Sequence, residues 1–324
     1  MVENALSSKF GIVGLGNKTK GAKNMDEKRI VCVTSTSCLS YAPERYKDSG
    51  IEQFHIIVNY NNKDYYEGKD LDPYKFFANL ETLEDPKNNL PHSAIPPFES
   101  IREKFQSIVD RGYKEAIIIT LSSYLGGTFN AIQLVSKEFQ DVLKITMIDS
   151  KITGFNEGLL ALQAKELVDK GVDTETIVKE IKWSMAHQEF IGVCGSLDYL
   201  IYNGRLKGGK AFISKLIHIC PVMHFSHEGV LEAFATAVGT KKGAMMAVEK
   251  VASMVKDLNP EDYILFRNYS GEHSADILKQ YEEQFGLKTN HEDMVVSPVI
   301  GCHVGPYLAS YGLFIKRRPD QPLE

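Results

Sequence analysis

A chain of 324 residues is long enough for two domains with large cores, and with 43% hydrophobic and 24% charged residues its composition is that of an ordinary globular protein. The net charge of −5 argues against nucleic acid as a main partner, because phosphate binding needs a basic surface, although Lys207, Lys210 and Lys215 suit a local patch. No apolar run approaches the roughly 20 residues that cross a bilayer, and the first residues lack a charged start followed by an apolar core, so a cytoplasmic protein without an integral membrane segment is expected.

Residues 1–28 lack periodicity and read as an extension; Gly14 and Gly16 fall short of a nucleotide-binding glycine pattern. Arg29–Val33 is the first predicted strand and runs into a hydroxyl-rich loop of Thr34, Ser35, Thr36 and Ser37. His55–Asn59 is expected as the second strand. After a turn at Tyr65–Gly68, Asp70 and Pro73 open a helix over Tyr74–Leu80. The proline-rich Pro91–Ile101 segment enters a helix carrying Ile101, Phe105, Ile108 and Val109.

The chain is organised around the stretch from Ala116 to Val135. Ala116–Leu121 is β-branched and almost wholly apolar, as in a strand of a parallel sheet buried on both faces. It ends in Ser122, Ser123, Gly126, Gly127 and Thr128, and from Phe129 the apolar positions recur at helical spacing through Ile132, Val135 and Phe139. At the carboxyl ends of a parallel sheet, such a turn and helix start favour an anion. An ordinary turn in which the serines cap the helix is the alternative.

Ile145–Ile148 is a further strand, followed by a helix with Leu160, Ala164, Leu167 and Val168 on one face and a stop at Lys170–Gly171. The alternation over 29–170 predicts a parallel α/β sheet whose loops gather three hydroxyl clusters. Beyond a helix starting at Thr174, strands are predicted at Gly192–Cys194, Ile219–Phe225, Val230–Ala235, Tyr263–Asn268, Met294–Val299 and Tyr311–Lys316, with helices at Lys241–Leu258 and His273–Phe285. The expected fold is therefore α/β in two domains: an N-terminal parallel-sheet domain over 29–190 and a C-terminal α+β domain with a largely antiparallel sheet over 191–324.

Arg205, in an Asn203-Gly204-Arg205 turn, is suited to planar recognition of a carboxylate or phosphate; a solvated surface arginine is the simpler reading. His303, between Gly301 and Gly305, can be a neutral donor, a cation or a structural histidine. The five widely spaced cysteines suit reduced core thiols. Neither metal-ligand spacing nor a nucleophile elbow is present, so no catalytic residue, metal or cofactor is assigned.

Five segments in this order resemble the DegV family of bacterial lipid-binding proteins: VTSTSCLS (33–40), YYEGKDL (65–71), LSSYLGGTFNA (121–131), MIDSKITGFNEGLLALQA (147–164), and YLIYNGRLKGGKAFISKLIHICPVM (199–223) with GCHVGP (301–306). The resemblance implies that the two domains enclose a long-chain fatty acid in an apolar tunnel, its carboxylate held by hydroxyls. Members present that carboxylate to a separate ATP-dependent fatty acid kinase, so turnover is expected only with the partner. Ser93 takes the place of the family's carboxylate-binding Thr, Ser122 and Ser123 match its double-serine turn, and Arg205 and His303 match its Gly-Gly-Arg and His-Thr-Gly-Pro segments. Thr36 and Thr128 complete the ligand-binding candidates together with His303, while Arg205 and His303 are assigned to phosphoryl transfer or partner docking.

Burial of roughly 0.8 kcal/mol per methylene would set affinity, leaving the polar cluster to set orientation. Departures from the family pattern at Ser35, Ala94, Gly126 and Tyr307 remove polar groups and place a bulky ring near the expected head group, and an Arg common near Val238 is missing. The competing readings are a stand-alone phosphotransferase or hydrolase using His303 and Arg205 on a small anion, and a binder of another anionic lipid.

Overall fold

The computed structural model describes residues 28–47, 49–84, 89–205, 219–318 and 320–323. The predicted extension up to residue 27 and the lysines at 207, 210 and 215 lie outside the described residues. The N-terminal sheet contains β1 (Arg29–Thr34), β2 (Glu52–Phe54), β6 (Glu115–Thr120) and β7 (Lys144–Asp149), all parallel, in the order β2-β1-β6-β7. Side chains alternate between its faces. Ile30, Cys32, Ala116 and Ile118 pack under helices Phe98–Asp110 (α3) and Thr128–Ser136 (α4), while Val31, Val33, Ile117 and Ile119 pack under Phe155–Asp169 (α5) and Thr174–Ala186 (α6). The wholly apolar centre of β6 follows from this two-sided cover.

The predicted strand His55–Asn59 is present from Ile57 but not in the parallel sheet: Glu52–Phe54 supplies the parallel strand, and the chain turns at His55 into a separate antiparallel sheet. That sheet pairs β3 (Ile57–Tyr60) with β4 (Lys63–Tyr66) and with β5 (His92–Ala94). Asn61 and Asn62 both have positive φ, as the tight β3–β4 hairpin requires. Asp72 rather than Asp70 caps the next helix, Pro73–Glu81 (α2), accepting from the Lys75 N–H at 2.8 Å.

The chain passes to the second sheet between Ala186 and Gln188. This sheet comprises β8 (Gln188–Cys194), β9 (Ile219–Phe225), β10 (Leu231–Val238), β11 (Tyr263–Tyr269), β12 (Met294–Val295) and β13 (Leu308–Ile315). Its order is β10-β9-β8-β13-β11-β12, antiparallel throughout except for the β11–β12 pair. Helices Thr240–Val255 (α8) and Asp276–Phe285 (α9) cover one face. The strand predicted over Met294–Val299 stops after two residues. Ser297 accepts from the Ile300 N–H at 3.3 Å and Pro298 sets the first helical position, so the segment becomes helix Pro298–Val304 (α10).

Helix α5 lies between the two sheets. Every residue from Phe155 to Ala164 is buried, not the single face predicted, because Val33 and Ile119 of one sheet and Phe266 and Phe314 of the other share its core. Gly158 permits the contact with the loop after β1: a Cβ there would stand 2.6 Å from the Ser37 carbonyl oxygen.

Candidate functional site

The loops after β1, β6 and β7 are joined by hydrogen bonds. Leu121 N–H donates to Thr34 Oγ1 at 3.1 Å, Ser122 N–H to Ile152 O at 2.7 Å, and Ser150 N–H to Thr120 O at 3.1 Å. Between these loops and the second sheet runs a cavity of about 120 Å³. Leu121, Leu125 and Ile56 line it on the N-terminal side; Phe190, Phe225, Leu231 and Leu308 face them from the second sheet, with Val299, Ile300 and Val304 from α10. Gly127 and Gly154, the residues just before α4 and α5, are also in its wall, so two helix N-termini open beside it.

Polar groups are few in this wall. Ser93 Oγ and His303 Nε2 are 2.8 Å apart, joining β5 to α10 across 210 residues of sequence. Burial drives the His303 pKa down to about 3, assisted by Arg205 and His92, which favours the neutral imidazole over the cationic reading. Arg205 N–H donates to Leu200 O (3.0 Å) at the end of helix Asp198–Tyr202 (α7), where Gly204 takes a left-handed conformation, and Nη1 donates to Asn203 O (2.8 Å). Arg205 Nε, His303 Nδ1 and Thr153 Oγ1 are buried in this cavity wall without a hydrogen-bond partner among the described residues.

Of the predicted site residues, Ser93, Thr36, Thr128, Arg205 and His303 line this one cavity, whereas Ser122 and Ser123 are absent from its lining. The Ser122 hydroxyl donates to Gly229 O at 2.7 Å and fastens the turn to the second sheet. Neither serine caps α4, which starts from Gly127 without a side-chain cap. Ala94 and Gly126 are in the lining, but the Tyr307 ring is half-exposed and lies outside it, correcting the expectation of a ring near the head group.

Thr153, Asn268 and two buried acids were not singled out from the sequence. Glu157, fully buried on α5, accepts from the Thr34 N–H at 3.2 Å, from the Thr34 hydroxyl, and from the Thr36 hydroxyl at 2.8 Å. Burial pushes its pKa up to about 8 against those donors. Glu67, equally buried, is also pushed up to about 8 by burial; the hydroxyls of Ser35, Ser297 and Tyr41 oppose the shift, yet neither carboxyl oxygen makes a hydrogen bond of good geometry among the described residues. An acid inside the apolar run GFNEGLLALQA was the available signal for Glu157.

All five cysteines are buried and free. Burial raises Cys32 to about 12 and Cys220 to about 11, so these two are thiols and not thiolate nucleophiles. Among the described residues no group of His, Cys, Asp and Glu is placed to hold a metal, and no helix is long and apolar enough to cross a membrane.

The molecule is an α/β protein with a mostly apolar cavity, carrying a few convergent polar groups, between its two sheets. The chain belongs to the DegV family, described as uncharacterised proteins, which it matches over residues 29–316. A DegV domain-containing protein of Clostridium acetobutylicum is 26% identical over 281 residues, covering 87% of this chain and 97% of the relative. The fold is also that of a structure described as a fatty acid binding DegV family protein from Streptococcus agalactiae, with a TM-score of 0.78, 24% identity, and coverage of 90% of this chain and 100% of that one. A protein from Eubacterium ventriosum, described as binding stearic acid, aligns with a TM-score of 0.75 at 20% identity over 88% of this chain and 98% of that chain.

Proposed function

We propose that this protein binds a long-chain fatty acid in the cavity between its sheets and presents the carboxylate to a separate ATP-dependent kinase. The observation that carries the reading is one otherwise apolar cavity whose wall holds the hydroxyls of Ser93, Thr128 and Thr153, the last buried without a partner among the described residues. A buried polar atom without a partner costs about 1–3 kcal/mol, so this arrangement favours a ligand with an anionic head and an apolar body. The structural relatives described as fatty acid binding support the same ligand class.

In this reading Ser93 and Thr128 contact the carboxylate, while Thr36, whose hydroxyl donates to Glu157, lines the wall without holding it. Neutral His303 holds Ser93: when Nε2–H donates to Ser93 Oγ, the serine keeps its own proton for an acceptor in the cavity. Arg205, without an ion-pair partner among the described residues, orients the phosphoryl group during transfer or meets the kinase. The chain by itself then has no turnover, and the N-terminal region over 29–190 and the C-terminal region over 191–324 act as the two halves of one binding site.

The first experiment is native mass spectrometry of the purified protein, followed by organic extraction of what copurifies. A stoichiometric long-chain fatty acid supports the proposal; an empty protein that takes up no added fatty acid overturns it, and a different anionic lipid replaces the ligand class. Ser93→Ala is expected to weaken binding by about tenfold to a hundredfold, the value of one hydrogen bond to a charged group. Arg205→Ala is expected to keep the ligand and lose kinase-dependent phosphorylation, and equal loss of binding in both variants contradicts this division of roles.

A further inference from the structure

Residues 53–56 and 93–96 form a wall with a cavity on each side. Ile56 and Ser93–Ile95 face the cavity described above, while Gln53, Phe54, His55 and Pro96 line a second one of about 210 Å³. Tyr66 and Lys69 close it from β4 and the turn beyond, and α3 contributes Ser100, Glu103, Lys104 and Ser107. The first cavity is lined mainly by aliphatic and aromatic residues, whereas polar and charged residues outnumber apolar ones around this one, although their carbon atoms make much of its surface.

Its charge balance favours an anion. Lys104 Nζ donates to Glu52 Oε2 at 2.6 Å and Arg111 Nη1 to Glu52 Oε1 at 2.9 Å, so two cations share one carboxylate. Lys69 has no carboxylate within ion-pair distance among the described residues; its Nζ lies 5.6 Å from the Tyr66 ring centre. Glu103, exposed to solvent, is the one opposing charge in the lining.

Donors converge on the same space. Gln53 accepts the Ser40 hydroxyl at its Oε1 (3.0 Å), which leaves its NH2 group to donate, and Ser107 adds a hydroxyl. His55 Nδ1–H donates to Glu67 O at 2.7 Å, so the neutral ring carries its lone pair on Nε2. Burial lowers the His55 pKa against the hydrogen bond to Glu67 O, which raises it; the charges of Lys69 and Lys104 lower it further and Glu52 opposes them. Lys69, Lys104 and His55 all line this cavity.

We propose that this second cavity is a binding site for a small phosphate-bearing molecule, with Lys69 and Lys104 pairing its oxyanion and Gln53 and Ser107 donating to it. Lysine ammonium groups serve phosphate as point charges with rotatable donors. A volume of about 210 Å³ leaves room for an organic portion beside the phosphate, next to Phe54 and Tyr66.

The test follows the His55 imidazole by NMR in the full chain, assigned through His55→Gln, during titration with inorganic phosphate and, separately, with acetate at constant ionic strength. Phosphate is expected to shift the His55 signals saturably and to raise its titration midpoint by offsetting the two lysines; acetate is expected to do neither. Lys69→Gln should weaken the response about tenfold with the methyl spectrum unchanged, and Arg205→Ala, which alters the other cavity, should leave it intact. Absence of saturation, an equal response to acetate, an undiminished response in Lys69→Gln or loss of the response in Arg205→Ala each overturns the proposal.

Discussion

Glu157 and Glu67 are carboxyl groups at 0% exposure with midpoints pushed up to about 8 by burial. The unfolded chain releases these protons near the ordinary value of 4.5, so between about 4.5 and 8 the folded state holds more protons and stability falls as pH rises. His303 acts in the opposite sense: with its midpoint lowered from 6.5 to about 3, the unfolded chain binds more protons between those values and stability rises with pH there. Above pH 6.5 only the two glutamates of this set remain, and the thermal midpoint is expected to fall by a few degrees up to pH 8. Glu157→Gln should flatten that fall, as calorimetry across the interval would show; an unchanged slope in the variant would sink the assignment.

At the scale of elements, the position of α5 depends on one missing side chain. Gly158→Ala places a Cβ 2.6 Å from Ser37 O and 3.1 Å from Leu39 Cδ2, and the overpacking of about 1–3 kcal/mol should exceed the helix-propensity gain of about 1 kcal/mol. Gly126, where an added Cβ meets nothing within 4 Å, is the control, and Gly126→Ala should stay within about 0.5 kcal/mol of the parent in urea unfolding. The segment after β13 is fastened in another way. Arg317 makes a two-pronged ion pair to Glu180 of α6, at 2.8 and 2.5 Å, and the Glu180 side chain is 2% exposed. Arg317→Met leaves that carboxylate buried and unpaired, and a loss of about 3–5 kcal/mol is expected by the same measurement.

For the whole molecule, the proposed ligand lies between two sheets that share a core through α5, so its removal is expected to act on both. A ligand at a hundred times its dissociation constant adds about 2.7 kcal/mol to the folded state. Extracted protein should therefore melt lower than protein as purified, and added long-chain fatty acid should restore the midpoint; a midpoint indifferent to extraction contradicts the cavity assignment.

The sequence by itself determined the features that local chemistry controls. Apolar, β-branched-rich runs marked β1 and β6 because strands covered on both faces must be apolar on both, and Asn203-Gly204-Arg205 marked a turn because glycine takes the left-handed conformation at little cost. The loops after β1, β6 and β7 were legible as hydroxyl-rich and as neighbours because parallel strands place such loops on one edge. Tertiary structure alone decided that Ser93 meets His303 across 210 residues, that Ser122 fastens to Gly229 and stays out of the cavity lining, and that Glu52–Phe54, a weak strand by composition, joins the parallel sheet. It also decided that Glu157 would be buried on a helix enclosed by two sheets. Local periodicity reports which side of an element is covered, but not which distant residue covers it, and that choice belongs to the packing of the whole chain.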